Sequence, residues 1–115
     1  MAEAETLFTK IVNRDIPATI VYEDDLCIAF NDIEPQAPVH ILLVPKKPIA
    51  KLDEAVVEDQ TLLGHLLLVA PKVAEQAGVG DAFRVVVNNG ARAGQSVFHI
   101  HLHIIGGRSL QWPPG

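Results

Sequence analysis

The 115-residue sequence has one cysteine and lacks a long apolar run. Cys27 has no second cysteine to pair with, so a disulfide within the chain is excluded, in agreement with a reducing compartment. A membrane span needs roughly 18 consecutive apolar residues. The most apolar stretch, from Leu62 to Ala70, is interrupted by Gly64 and His65. The first residues carry neither the basic nor the apolar segment of a signal peptide, so we expect a cytoplasmic protein with no membrane partner.

Positive charge is also scarce. Nine Lys and Arg residues oppose fourteen Asp and Glu residues, which gives a net charge of −5. Proteins that bind duplex nucleic acid carry clustered positive charge, so we expect no nucleic-acid partner. A small anion could still be bound by imidazoles or backbone amides. With 49% hydrophobic and 20% charged residues, the chain has the composition of a folded protein, and its length predicts a single domain over residues 1–115.

The hydrophobic pattern predicts an α+β fold, an antiparallel sheet of about five strands with one long and one short helix. The predicted elements are a short helix Glu5–Asn13 beginning near Thr6, strands Ile20–Glu23, Cys27–Phe30, His40–Val44, Val85–Val87 and Phe98–Ile105, and a long helix from about Glu58 to Ala77 that Gly78 closes. Pro71 lies within the long helix and predicts a kink or a division into two helices, since proline removes one helical hydrogen bond.

Three of the five histidines alternate with aliphatic residues along the last predicted strand. His99, His101 and His103 have a period of two, which places all three imidazoles on one face of a strand. A solvated polar face of an ordinary strand would more often contain Thr, Lys, Glu or Ser. The spacing therefore indicates a chemical site.

Two kinds of chemistry suit such a face. His-x-His is a common pair of metal ligands, but the first and third Cα atoms lie about 13 Å apart along a strand. A metal site would therefore use two of the three histidines with a distant carboxylate, Cys27 or His40. Alternatively, a neutral imidazole can attack phosphorus, and neighbouring histidines disfavour each other's protonation. This favours the central His101 as the nucleophile, with its neighbours carrying charge toward a phosphate oxygen.

The loop before the histidines contains Gly90, Gly94, Gln95 and Ser96. Glycines allow backbone amides to approach an anion closely, and a serine hydroxyl can donate to one. A plain hairpin connection would contain the same kinds of residue. Directly before three histidines, the phosphate interpretation is favoured.

The run from His99 to Ile105 resembles the signature of the histidine triad family, in which three histidines alternate with apolar residues. The resemblance covers nearly the whole chain, which is similar to the nucleotide-binding branch of that family. Further matching segments are 30–38, 45–47, 62–66, 86–88, 94–97 and the ending Gly106-Gly107-Arg108 to Trp112-Pro113-Pro114-Gly115. Asn31 departs from the histidine that close relatives have at that position.

The resemblance implies a purine nucleoside phosphoramidase that acts through a nucleotidyl-histidine intermediate without a metal or cofactor. His101 matches the nucleophile, His99 and His103 flank it, and His40 matches a supporting histidine. The other matching positions contact substrate: Asp32 the ribose, Ile33 the base, and Asn88, Gly94, Gln95 and Ser96 the phosphate and leaving group, together with His103. The family also implies a homodimer with joined sheets, in which the tail containing Trp112 reaches the partner's site.

Several of these residues also fit ordinary structural roles. Asp32 and Asn88 could serve turns, Cys27 could be core, and Trp112 could only pack the tail. His65 could be structural, and Lys46 and Lys47 are expected to be solvated. For the protein as a whole, the alternatives are a dinucleoside polyphosphate hydrolase, a nucleotide-binding interaction protein with incidental catalysis, and a zinc protein.

Overall fold

A computed structural model describes residues 5–115, and Met1–Ala4 lie outside the described part. Five antiparallel strands form one sheet in the order β1-β2-β3-β5-β4. Their bounds are β1 Ile20–Glu23, β2 Cys27–Asn31, β3 Val39–Pro45, β4 Phe83–Val86 and β5 Leu102–Gly106, and the helices are α1 Leu7–Val12 and α2 Gln60–Gln76. The predicted α+β fold is confirmed. No helix within residues 5–115 is long and apolar enough to cross a membrane.

The short helix α1 begins where the sequence predicts. The Thr6 hydroxyl accepts the backbone N–H of Thr9, and the Thr9 hydroxyl accepts the backbone N–H of Thr6. This reciprocal cap satisfies two amides that have no partner inside the helix. The helix buries Phe8 and Ile11 against one face of the sheet.

The long helix α2 covers the opposite face. It buries Leu66, Val69, Ala70, Val73 and Ala74. Pro71 lies inside one continuous helix, so of the two predicted alternatives, a kink or a division into two helices, the division is wrong. Pro71 is exposed and the side chain of Leu67, one turn earlier, is 60% exposed, so water can solvate the carbonyl that proline leaves without a helical partner.

Alternate residues of the same strands therefore enter two separate apolar clusters. On β3, Ile41 and Leu43 face α2, whereas Leu42 and Val44 pack with Phe8 of α1. On β5, Leu102 and Ile104 join the α2 cluster. Because a strand alternates its side chains, this places His103 on the α1 side of the sheet.

The last strand is shorter than predicted. It begins at Leu102, so His99 and His101 precede it, and the prediction of a strand over Phe98–Ile105 is wrong at its start. The backbone N–H of Ile100 donates to the Ile49 carbonyl at 2.6 Å instead of to the sheet. The antiparallel pairing of β3 with β5 runs from Val39 opposite Gly106 to Leu43 opposite Leu102, although β3 itself continues to Pro45. The strand β4 also begins two residues earlier than predicted, at Phe83.

Candidate active site

A cleft of about 810 Å³ opens on the α1 side of the sheet. One wall comes from α1 and the segment that follows it, another from the loop after β2, and the floor from Leu42 of β3. Two of the triad histidines, His101 and His103, line it. The full lining is Leu7, Phe8, Ile11, Ile16, Pro17, Ala18, Thr19, Phe30, Asn31, Asp32, Ile33, Glu34, Leu42, Ser96, Val97, His101 and His103.

His101 is oriented by the backbone of its own segment. Its Nδ1 lies 2.8 Å from the His99 carbonyl oxygen, which can only accept, so Nδ1 carries the proton. In the neutral ring, Nε2 therefore keeps a free lone pair. Phe8 contacts the ring edge to face, with centroids 4.9 Å apart. Burial lowers the pKa of His101 below its usual value, so the nucleophilic form predominates at neutral pH.

His40 and His103 form a directed pair. The backbone N–H of Gln36 donates to Nδ1 of His40 at 3.0 Å, so the proton of a neutral His40 is on Nε2. Nε2 of His40 lies 2.9 Å from Nδ1 of His103 and donates to it. His103 consequently has its own proton on Nε2. Burial, with His101 and His40 nearby, lowers the pKa of His103 to about 4.

His99 lies outside the cleft lining and is fully buried. Its Nε2 donates to the Pro45 carbonyl at 2.7 Å, and its Nδ1 lies 3.4 Å from the Thr6 hydroxyl. Burial lowers its pKa as well. All three triad imidazoles are thus held neutral, and the expectation that His99 and His103 carry charge to a phosphate is not supported. His103 can instead donate a neutral Nε2–H. His99 contributes through its backbone carbonyl, which orients His101.

Asp32 and Ile33 lie side by side at the cleft. Asp32 Oδ1 accepts the backbone N–H of Glu34 at 2.8 Å, so the residue does serve its turn. Its Oδ2 lies 3.4 Å from Nε2 of His40. Ile33 is 92% exposed, the most open apolar side chain at this site. Both residues are therefore available to a ligand, and the turn interpretation of Asp32 holds at the same time.

The loop before the triad places only Ser96 of its predicted residues on the cleft. Gln95 is buried, and its side chain holds the loop together. Its Oε1 accepts the Gly90 N–H at 2.8 Å, and its Nε2 donates to the carbonyls of Ala50 and Val97 at 2.8 and 3.1 Å. Gln95 therefore shapes the site without pointing a free donor into it.

Asn88 and Gly94 lie together outside the cleft lining. Gly94 has a φ of +101°, and a Cβ added there would lie 3.7 Å from Asn88 Nδ2. Trp112, in the tail, is 82% exposed and is likewise not part of the cleft. The tail is attached to the sheet where Arg84 Nη2 donates to the Gln111 carbonyl at 2.8 Å.

Four residues for which the sequence favours ordinary structural roles have such roles. Burial raises the pKa of the Cys27 thiol to about 12, and the thiol's hydrogen bond to Asp24 Oδ1 at 3.3 Å acts in the same direction. His65 Nε2 pairs with the other oxygen of Asp24 at 2.7 Å. Lys46 and Lys47 form ion pairs with Glu23 and Asp59 at 2.8 and 2.5 Å.

Sequence reasoning misses the apolar wall of the cleft. Phe8 and Ile11 of α1, together with Ile16 and Val97, line it. The apolar face of α1 is visible in the sequence, where its spacing indicates core. Nothing in that pattern says that the same face also lines an opening.

Two groups of side chains within residues 5–115 have the donor atoms for a metal ion. Their members are Asp32, His40 and His103, and Asp24, Cys27 and His65, with the donor atoms of each group within 4.8 Å of one another. In the first group an ion would have to replace the hydrogen bond between His40 and His103. In the second it would have to displace the thiol proton, whose loss burial disfavours.

Comparison with known proteins shows what the fold resembles. The family profile described as HIT domain matches residues 13–110. A HIT-like protein of Synechocystis sp. is 64% identical over the full length of both chains. A HIT family hydrolase from Legionella pneumophila superposes with a TM-score of 0.92 at 47% identity, covering 95% of this chain and 98% of that one. A histidine triad protein from Clostridium difficile superposes with a TM-score of 0.89 at 42% identity, covering 96% and 97%.

Proposed function

The chain belongs to the HIT domain family, and from that premise we propose that it is a purine nucleoside phosphoramidase. The proposed reaction hydrolyses adenosine 5′-monophosphoramidate-type substrates to the nucleoside monophosphate through a nucleotidyl-histidine intermediate. The observation that carries this proposal is the hydrogen bond of His101 Nδ1 to the His99 carbonyl. It leaves a neutral Nε2 lone pair beside the 810 Å³ cleft.

In the first step, Nε2 of His101 attacks phosphorus and the P–N bond to the amine breaks. The amine leaves with one proton taken from the solvent-connected cleft. The imidazole, now bonded to phosphorus through Nε2, keeps its proton on Nδ1. This N–H still donates to the His99 carbonyl, which stabilises the positive charge that develops on the ring. Water then attacks phosphorus, the P–Nε2 bond breaks, and one proton returns to the cleft. His101 is restored with its original tautomer.

His103 supports this step as a neutral hydrogen-bond donor. Because its Nδ1 accepts from His40, its Nε2–H is available to a phosphate oxygen next to His101, whose ring centroid lies 4.9 Å away. Ser96, also on the cleft, is proposed to contact the leaving-group side. We propose that Gln95 contributes by holding the loop in place. Asn88 and Gly94 are proposed to influence the leaving-group side of the cleft indirectly, through the conformation of Ser96.

The nucleoside would occupy the other end of the cleft. We propose that Asp32 accepts from the ribose hydroxyls and that the base lies against Ile33 and the apolar wall that includes Ile11 and Ile16. A large apolar wall with few polar groups is typical of small-molecule sites.

Turnover of an adenosine phosphoramidate, compared with that of a diadenosine polyphosphate, tests the proposal. We expect the phosphoramidate to have the larger kcat/KM. A larger value for the diadenosine compound would favour the dinucleoside polyphosphate hydrolase instead. Nucleotide binding with negligible turnover of both would favour an interaction protein. Loss of activity with a chelator and recovery with zinc would favour a metal enzyme.

We further propose that the protein is a homodimer in the cytoplasm. The sheet has two edge strands, β1 and β4, and unpaired edges favour association with another copy. Exposed apolar residues Leu67, Leu68 and Trp112 are available for such a contact. Light scattering should give about 25 kDa, twice the 12.5 kDa of the chain. A mass of a single chain at micromolar concentration would contradict the dimer.

A further inference from the structure

The segment that follows β5 lies against the loop between β2 and β3. Arg108 donates from Nε and from Nη2 to the Gln36 carbonyl oxygen, at 3.2 and 3.1 Å. A third donor of the same guanidinium, Nη1, contacts the Ser109 carbonyl at 3.1 Å and restricts the side chain further. Three donors on two carbonyls define the orientation of the guanidinium plane.

The backbone makes a second, independent contact at the same place. Gly107 has a φ of +90°, and a Cβ added to it would lie 3.0 Å from Cβ of Pro38. The chain after β5 therefore approaches the β2–β3 loop as closely as only glycine allows. Arg108 and Gly107 together hold residues 36–38 from outside.

Gln36 connects this contact to the histidines. Its carbonyl accepts from Arg108, and its N–H donates to Nδ1 of His40. That second bond favours a proton on Nε2 of His40, which is directed to Nδ1 of His103 at 2.9 Å, with Asp32 Oδ2 as a second acceptor 3.4 Å from the same nitrogen. His103 belongs to β5, the strand from which Arg108 extends. The contacts thus form a closed circuit from β5 through the loop and back to β5.

The circuit determines which nitrogen of His103 has a proton to offer. If Gln36 moves away, Nδ1 of His40 loses its donor and the ring can adopt the other tautomer. Nε2 of His40 would then present a lone pair to His103, whose proton would move to Nδ1. The Nε2 of His103 would change from a donor to an acceptor.

We infer that Arg108 is a positioning residue that fixes the tautomers of His40 and His103 through Gln36. Its consequence for turnover rests on the proposed function, whereas its consequence for the tautomers does not. The wild type is expected to have both imidazoles protonated on Nε2 at neutral pH.

Two substitutions separate the contributions of Arg108. Arg108→Met keeps the apolar stem and removes every donor, and Arg108→Lys keeps the charge but loses the fork that reaches Gln36 with two nitrogens. The matched control is Arg84→Met, which removes another guanidinium-to-carbonyl contact at the same end of the sheet, to Gln111. Side-chain ¹⁵N chemical shifts of the histidines, measured on the full-length protein, report the tautomers.

For Arg108→Met we expect His40 and His103 to become mixtures of tautomers, and Arg84→Met to leave both unchanged. Arg108→Lys should lie between the wild type and Arg108→Met. With an active wild type, Arg108→Met should lower kcat by about five- to tenfold while changing KM less than twofold, because orientation and not binding is lost. A purely structural role would lower the melting temperature and leave the tautomers unchanged.

The inference about Arg108 and the proposed function would be contradicted by two different outcomes. Histidine ¹⁵N shifts that are the same in Arg108→Met as in the wild type would overturn the inference, whatever the enzyme does. Absence of phosphoramidate turnover in the wild type would overturn the proposed function, and the shifts would still decide the role of Arg108.

Discussion

The two faces of the sheet are made by the same strands and have opposite characters. The face under the 17-residue helix α2 buries a continuous apolar cluster that includes Ile41, Leu43 and Ile104. The face under α1, which has six residues, combines a smaller apolar cluster with four imidazoles and an open cleft. A cavity of about 330 Å³ also occurs beside α2, but none of its lining residues is titratable.

The difference follows from how much of each face a helix covers. A long helix excludes water from most of the face that it covers, so buried polar groups there would have no partner. The short helix leaves part of the sheet open, and each histidine there has a hydrogen-bond partner that also orients it. Within residues 5–115 no buried side-chain nitrogen or oxygen lacks a partner. The face under α2 therefore contains the larger apolar core, whereas the face under α1 contains the candidate site.

The largest effect on activity is expected from a change on the face under α1, which we call the open face; the face under α2 is the covered face. His101→Asn can keep a side-chain N–H donor to the His99 carbonyl but has no Nε2 lone pair. We expect turnover to fall by about a thousandfold or more, with nucleotide affinity within about tenfold of the wild type. Steady-state kinetics and nucleotide titration check both values. Residual activity above a small fraction of the wild-type rate would mean that another group is the nucleophile.

The corresponding change on the covered face should affect stability alone. Leu66→Ala removes a fully buried side chain of α2 and should lower the free energy of unfolding by about 3 kcal/mol. Urea denaturation measures this, with exposed Lys72→Ala as the control that changes it little. The kcat of the folded Leu66→Ala protein should stay near the wild-type value. A large fall in kcat would show that the two faces are not separable.

Acid should affect the open face first. His99, His101 and His103 have pKa values lowered by burial, that of His103 to about 4, whereas the unfolded chain binds protons near 6.5. The unfolded state therefore takes up more protons, and stability is lost as pH falls from about 6.5 toward 4. We expect a loss of about 2 kcal/mol over this range, measured by urea denaturation. In His103→Asn the free energy of unfolding should fall less over this pH range. An unchanged fall would contradict the attribution of this pH dependence to His103.

A smaller effect is expected at Asp32. Asp32→Asn keeps an oxygen that can accept the Glu34 N–H, so the turn should survive, but it removes the charge proposed to accept from ribose. We expect KM to rise about tenfold with a smaller change in kcat, the size of one charge-assisted hydrogen bond. An unchanged KM for the nucleotide substrate would leave Asp32 as a turn residue only.

The smallest effect is expected from the tail, which belongs to neither face. Pro113 and Pro114 stiffen it, and Trp112 is exposed within one chain. Truncation after Leu110 should change the ratio of kcat/KM for two phosphoramidates that differ only in the amine, by about threefold. Light scattering must show that the truncated protein still has the mass of the full-length assembly. An unchanged ratio in such a protein would leave the tail as packing.

The fold could be predicted because its signals are local. Period-two alternation, the Thr6 cap and the apolar stripe of α2 each specify an element from nearby residues. The start of β5 could not be predicted in this way, since the backbone N–H of Ile100 donates to the carbonyl of Ile49, which is distant in sequence. The continuity of α2 at Pro71 likewise depends on which side of the helix faces water.

The sequence predicts candidate residues of the site better than their protonation. Of the histidines that the spacing singles out, the structure places His101 and His103 on the cleft and His99 outside it. Only the burial of all three shows that their pKa values are lowered. The direction of the proton between His40 and His103 depends on the Gln36 amide, and therefore on a contact that no local pattern encodes. Long-range contacts thus decide the protonation of groups that the sequence can only place.

Trapping of a covalent intermediate tests the central claim most directly. The protein is mixed with a slowly hydrolysed adenosine phosphoramidate and quenched with base, in which a phosphorus–imidazole bond survives best, and the peptides are then analysed by mass spectrometry. We expect one adenylyl group on the peptide that contains the triad, localised to His101 by fragmentation and absent from His101→Asn. Turnover with no adduct, or an adduct on another residue, would contradict the assignment of His101 as the nucleophile.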